Sequence, residues 1–150
     1  FLRMTSSTHG KDNYITTDPA VIEEGINGLG SKLVSIGEDL SCCLLDEQET
    51  DTTILIVYGV TARAAREAVT SLRAEGYKIS LLVVKTLYPV PERVITNAVS
   101  GKEKIVVLEM NRGQYVLEIQ RLSGEVPVHF YGQMNGELMS PETIIREVVQ

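Results

Sequence analysis

Glu109, Asn111, Gly113 and Gln114 close an apolar run at residues 105–108, placing one carboxylate, two amides and a flexible turn residue within six positions. Such groups beside a helix start could hold a polar ligand or engage a partner domain. They could equally make the turn themselves, with Asn111 and Gly113 reversing the chain and Gln114 bonding locally. Glu109 stands where an acid could act, but no second carboxylate at a defined spacing accompanies it, so a paired acid/base site is not supported. A second polar turn, Gly59, Val60 and Thr61 followed by Arg63, ends another apolar run. Thr61 and the N–H groups of the helix after it could hold an anion, although the plainer reading is that Thr61 caps its own helix. The turn lacks the further glycines of a dinucleotide loop and the lysine of a P-loop.

These groups need a scaffold, and the chain alternates strand and helix to provide one. Apolar runs at Thr53–Tyr58, Ile79–Val84, Lys104–Glu109 and 126–131 read as buried strands, the last near a sheet edge because of Pro127. Helices are expected at 62–75, stopped by Gly76, at 92–100, at 113–122, and from Pro141 onward with Ser140 as cap. This order gives an α/β domain: a three-layer, open, mainly parallel sheet flanked by helices. If the first and third of these strands are neighbours, as in the flavodoxin-like order, the crevice between their carboxyl ends is lined by Gly59, Thr61, Arg63 and the Glu109–Gln114 turn.

Ahead of this core, residues 1–17 read as an extended polar arm. Asp18 and Pro19 start a helix, along which Ile22, Ile26, Leu29, Leu33, Ile36 and Leu40 form one apolar stripe. Gly25, Gly28, Gly30 and Gly37 interrupt that helix, each costing about 1 kcal/mol relative to Ala, so it is expected to depend on packing against another domain or subunit. The acidic stretch 46–51 reads as a solvated junction, giving two segments: 1–50, an N-terminal arm and packing helix, and 51–150, the α/β domain. The start at Phe1, within a connecting stretch, suggests a piece of something larger.

The bulk properties narrow the class. A chain of 150 residues, 43% hydrophobic with net charge −6 and no basic block, argues against nucleic acid or an anionic membrane as partner. It contains no apolar run long enough to span a bilayer. Cys42 and Cys43 are adjacent, which suits neither a disulfide nor a metal site and suggests a reducing, cytoplasmic setting. His129 reads as a sheet residue and His9 as an exposed arm residue. Arg63, Arg66 and Arg73 read as one solvated helix face relieved by Glu67 and Glu75.

The Glu109–Gln114 segment resembles the E-x-N-x-G-Q segment in the transketolase C-terminal-like domain of the alpha subunit of 2-oxoacid:ferredoxin oxidoreductases. Further stretches agree in order. The arm from Thr5 through Thr8, His9 and Gly10 to Asp18 and Pro19 is similar to the family's T-G-x-x-H-D arm, with Gly10 in place of the usual Asp. Tyr58 to Arg63 resembles its Y-G-x-T-A-R turn. Lys85 to Pro91 resembles its R-x-L-x-P-F-P connection, and Phe130 to Glu142 its closing strand and G-x-x-x-x-P-E loop. The resemblance implies a non-catalytic structural and assembly domain of a thiamine-diphosphate enzyme that oxidatively decarboxylates a 2-oxoacid to an acyl-CoA and reduces ferredoxin. It also implies that this chain, inactive alone, binds no cofactor by itself. Thiamine diphosphate, magnesium, CoA and iron–sulfur clusters would belong to the parent complex. Its partners would be the pyrimidine-binding domain of the same subunit, the thiamine-diphosphate-binding beta subunit and a ferredoxin-like subunit. Thr8 and His9 become candidate interdomain residues, and the crevice residues a candidate interface. The competing reading is a free-standing flavodoxin-like module that binds a small ligand or regulates.

Overall fold

The computed structural model describes residues 7–150, the Glu38 side chain excepted, so Thr5 and Ser6 of the arm motif lie outside the described residues. The chain forms two compact units, Phe1–Asp39 and Leu40–Gln150.

In the first unit the arm is a tight hairpin rather than an extended strand. His9 bridges Ile15, the Gly10 N–H donates to the Tyr14 carbonyl at 2.9 Å, and the Thr16 N–H donates to the Thr8 carbonyl at 3.1 Å. Helix α1, Pro19–Leu40, then begins as expected. The Asp18 carboxylate accepts from the Ala20 and Val21 N–H groups at 2.9 and 3.3 Å, satisfying donors that have no partner inside the helix. Much of its apolar stripe faces solvent: Ile26, Leu29, Ile36 and Leu40 are all exposed. Beyond the chain neighbours and the backbone of the helix itself, no described atom would lie within 4 Å of a Cβ at Gly25, Gly28, Gly30 or Gly37.

The second unit is a five-stranded sheet. Its elements are β1 (Cys43–Asp46), β2 (Thr53–Tyr58), α2 (Thr61–Ala74), β3 (Ile79–Val84), α3 (Glu92–Val99), β4 (Lys104–Glu109), α4 (Val116–Leu122), β5 (Val128–Gly132) and α5 (Pro141–Val149). The strand order is β1-β3-β2-β4-β5, with β1 antiparallel to β3 and the other pairs parallel. Strands β2 and β4 are therefore neighbours, and β5, with Pro127 just before it, is an edge. Side-chain alternation divides the core in two. Val106 and Leu108 of β4 join Ala65, Leu72, Ile144 and Val148 of α2 and α5, whereas Ile105 and Val107 join Ile95, Val99, Val116 and Ile119 of α3 and α4. The result is the expected three-layer α/β arrangement.

Several local expectations are corrected. Cys43–Asp46, left with the N-terminal segment by the sequence reading, is an edge strand of the sheet, and the loop after it is anchored. Arg73 does not lie on a solvated face. Its guanidinium donates to the Asp46 carboxylate at 2.8 Å, to the Asp46 carbonyl and to the Ile79 carbonyl, and it approaches Asp51 at 3.4 Å. Asp51 is buried and accepts from the Gln48 N–H and the Ser80 hydroxyl, while Lys102 donates to its carbonyl. Helix α4 begins at Val116 instead of Gly113, because Gly113 takes a left-handed conformation (φ 87°) that ends the preceding turn. Strand β5 starts two residues late because the Val126 N–H turns back to the Ser123 carbonyl.

Candidate functional site: the carboxyl end of the sheet

Strand β4 has period two, so Glu109 falls on the same face as Ile105 and Val107 and points beneath the start of α4. Its carboxylate is almost fully buried, with 1% of the residue exposed. One oxygen accepts from the Val116 N–H at 2.6 Å; the other accepts from the Tyr115 N–H at 3.0 Å and from the Tyr58 hydroxyl at 2.8 Å. Tyr115 and Val116 open α4, whose first N–H groups lack intrahelical acceptors. Glu109 thus caps a helix that starts seven residues after it. A carboxylate there also meets the positive end of the helix dipole.

Asn111 completes the cluster. Its side-chain oxygen accepts from the Gly113 and Gln114 N–H groups at 2.8 and 3.1 Å, and its amide nitrogen donates to the Tyr58 hydroxyl at 2.6 Å. Tyr58, at the end of β2, therefore ties the two central strands together through its phenolic hydroxyl. Burial, and then the hydrogen bond to Glu109 and its negative charge, push the Tyr58 phenol up to about 12, with Asn111 acting the other way. Tyr115 packs edge-on against Tyr58, ring centres 5.6 Å apart, and burial raises its phenol further still. Phe130 closes the site from β5. A Cβ on Gly132 would run into the Asn111 carbonyl and come within 2.9 Å of Phe130, so this approach requires glycine.

The structure separates the remaining crevice residues from this cluster. Thr61 and Arg63 line a small cleft of about 110 Å³ with Met110, Leu138 and Met139, on the opposite face of the sheet. Val60, not Thr61, occupies the helix-capping position, with no side-chain cap; Thr61 is the first helical residue and is buried. Gly59 (φ 61°) borders a third space, between β2 and β3. Gln114 is exposed, contributing only its N–H to the Asn111 turn. In the first unit Thr8 and His9 are exposed and line a cavity of about 670 Å³ against α1. His129 sits with Nε2 3.5 Å from the Glu147 carboxylate, without hydrogen-bond alignment. Cys43 lies against the α3/α4 layer, where burial pushes its thiol up, whereas Cys42 is exposed. Sequence reasoning missed Tyr58 and Tyr115 as structural partners of Glu109. The one available signal was a tyrosine ending an otherwise aliphatic strand.

Among the described residues no three His, Cys, Asp or Glu side chains converge as metal ligands. No described helix is long and apolar enough to cross a membrane.

A family model described as pyruvate:ferredoxin oxidoreductase core domain II matches residues 52–144. The chain belongs to this family. Among curated proteins, this core domain II chain is similar to 2-oxoglutarate synthase subunit KorA of Methanothermobacter marburgensis, at 33% identity over 67% of this chain and 27% of that protein. The corresponding KorA of Methanothermobacter thermautotrophicus is 27% identical over 98% of this chain and 40% of that protein. Among solved structures, a 2-oxoglutarate:ferredoxin oxidoreductase from Magnetococcus marinus, with 2-oxoglutarate, coenzyme A and succinyl-CoA bound, aligns over 97% of this chain and 26% of its own. Its TM-score is 0.78 at 25% identity. A split-gene transketolase shares the fold at a TM-score of 0.59 and 17% identity, over 72% of this chain. The chain thus spans between about a quarter and two-fifths of these oxidoreductase relatives. The resemblance to the transketolase C-terminal-like domain of a 2-oxoacid:ferredoxin oxidoreductase alpha subunit holds.

Proposed function

We propose that this domain is the non-catalytic structural and assembly part of a thiamine-diphosphate-dependent 2-oxoacid:ferredoxin oxidoreductase alpha subunit. The parent reaction is the oxidative decarboxylation of a 2-oxoacid to an acyl-CoA with reduction of ferredoxin. The observation carrying this reading is the state of Glu109: buried, with both oxygens engaged by three donors of its own domain. In open α/β sheets this switch point commonly receives a ligand; here the protein's own carboxylate fills the role. The residues present do not fit thiamine diphosphate, because the acid that could serve its pyrimidine is sealed and no metal-ligating trio accompanies it among the described residues. In this reading thiamine diphosphate, magnesium, CoA and iron–sulfur clusters belong to the parent complex. The partners are the pyrimidine-binding domain of the same subunit, the beta subunit and a ferredoxin-like subunit, in the cytoplasm. The exposed stripe of α1 supports a packing role for the part of the N-terminal segment ahead of β1, with Thr8 and His9 beside α1.

The test is to purify the chain alone and within its native assembly, identify co-purifying subunits by mass, and measure 2-oxoacid- and CoA-dependent reduction of a viologen dye. Turnover confined to an assembly that contains a thiamine-diphosphate-binding subunit is expected. Turnover by the isolated chain, or a native state without such a subunit, overturns the proposal.

A further inference from the structure

Between the start of α2 and the β3–α3 connection lies an open groove of about 450 Å³. Leu44, Tyr58, Val84 and Leu87 contribute its apolar wall, and Arg66 and Lys85 are its only charged lining residues. Both cations are exposed, and neither has an ion-pair partner within 4 Å among the described residues. Two uncompensated cations and no acid are notable in a chain of net charge −6. Next to Leu87 on the turn after β3, Tyr88 is also exposed, and Val60 is exposed on the turn after β2. At the amino end of the sheet, by contrast, Tyr77 is the one exposed large apolar residue in the described turns.

We infer that this groove docks an acidic polypeptide segment of a partner subunit, with a carboxylate between Arg66 and Lys85 and a neighbouring apolar side chain against Leu44 and Leu87. Charge complementarity selects an acidic occupant. The apolar wall selects a polypeptide, since a small anion held by the two cations would leave Leu44, Leu87 and the neighbouring Tyr88 uncovered. The inference rests on the assembly role proposed above and adds to it a place and a partner chemistry.

The experiment uses the full native assembly, with a photo-crosslinking benzoylphenylalanine in place of Leu87 and, separately, the double variant Arg66→Glu with Lys85→Glu. Crosslinking to an acidic segment of a co-purifying subunit is expected. The double variant should dissociate about tenfold more readily than wild type, with the difference largest at low salt, while the chain keeps its wild-type circular dichroism and melting temperature. Arg66→Lys should assemble normally. An assembly that forms while the crosslinker stays unreacted, or that tolerates the double charge reversal, overturns the groove and leaves the assembly role standing. A chain that forms no assembly at all overturns both. Saturable binding of inorganic phosphate, lost in the double variant without any effect on assembly, reassigns the groove to a small anion.

Discussion

Replacing Glu109 by Gln changes one oxygen for an NH2 group and removes one charge, in a site built wholly from donors. If the amide oxygen keeps the position facing Tyr115 and Tyr58, the NH2 faces the Val116 N–H; if it flips, the NH2 faces the other two donors. Either way at least one buried N–H loses its acceptor, which costs about 1–3 kcal/mol. The remaining bonds lose their ionic reinforcement, and the helix start loses a favourable charge worth about 0.3–1 kcal/mol or more when buried. Against this stands the relief from burying a carboxylate, which can make a neutral replacement harmless. Three donors at 2.6–3.0 Å compensate that burial, so the loss should win. The expected destabilisation is about 3 kcal/mol, a large share of the roughly 5–15 kcal/mol typical of a domain. In urea unfolding followed by circular dichroism, with a slope of about 2 kcal/mol/M, the midpoint should fall by about 1.5 M at unchanged slope. A midpoint within about 0.3 M of wild type would refute the capping role and return Glu109 to the candidates for ligand chemistry.

Other outcomes follow from the same geometry. Tyr58 and Tyr115 have raised pKa values in the fold, so the stability they contribute is complete below the ordinary tyrosine value near 10 and is lost as pH rises beyond it, for Tyr58 through about 12. Ultraviolet titration should therefore show Tyr58 and Tyr115 ionising late, and Tyr58→Phe should remove one of these late steps. Gly132→Ala drives a methyl into the Asn111 carbonyl and Phe130 and should cost about 1–3 kcal/mol by thermal melting. Arg73→Ala should release β1, seen as faster amide exchange at Leu44 and Leu45 while β2 and β4 stay protected. Gln114→Ala, on an exposed side chain, should leave melting unchanged. Unlike Asn111→Ala, it tests an interface role without disturbing the turn.

The parts of the fold legible in the sequence are those written in local pattern. The runs that became β2, β3 and β4 are apolar through their centres, Ser80 of β3 excepted, because both faces are covered, and Asp18 and Ser140 bond the N–H groups two or three residues on, as caps do. Strand β1 was hidden because its four residues run into acids, and its pairing depends on Arg73, 27 residues away. The cap on α4 was hidden for the same reason: Glu109 reaches it from the preceding strand, across the Asn111 turn, outside the spacing of any local capping motif. The crevice looked like one site because Thr61 and Glu109 both stand near strand ends, but the pleat of β4 turns Glu109 beneath α4, whereas Thr61 opens α2 on the opposite face.

The seat of Glu109 has a thermodynamic corollary. A helix start left open for an anion gains stability whenever that anion is added, by mass action. Here the anion is covalently part of the chain, present at an effectively fixed and saturating concentration, so the domain behaves as permanently liganded at its switch point. Its melting temperature should stay flat as phosphate, nucleotides or short carboxylates are titrated at constant ionic strength, whereas Glu109→Ala should acquire a melting temperature that climbs with formate or acetate.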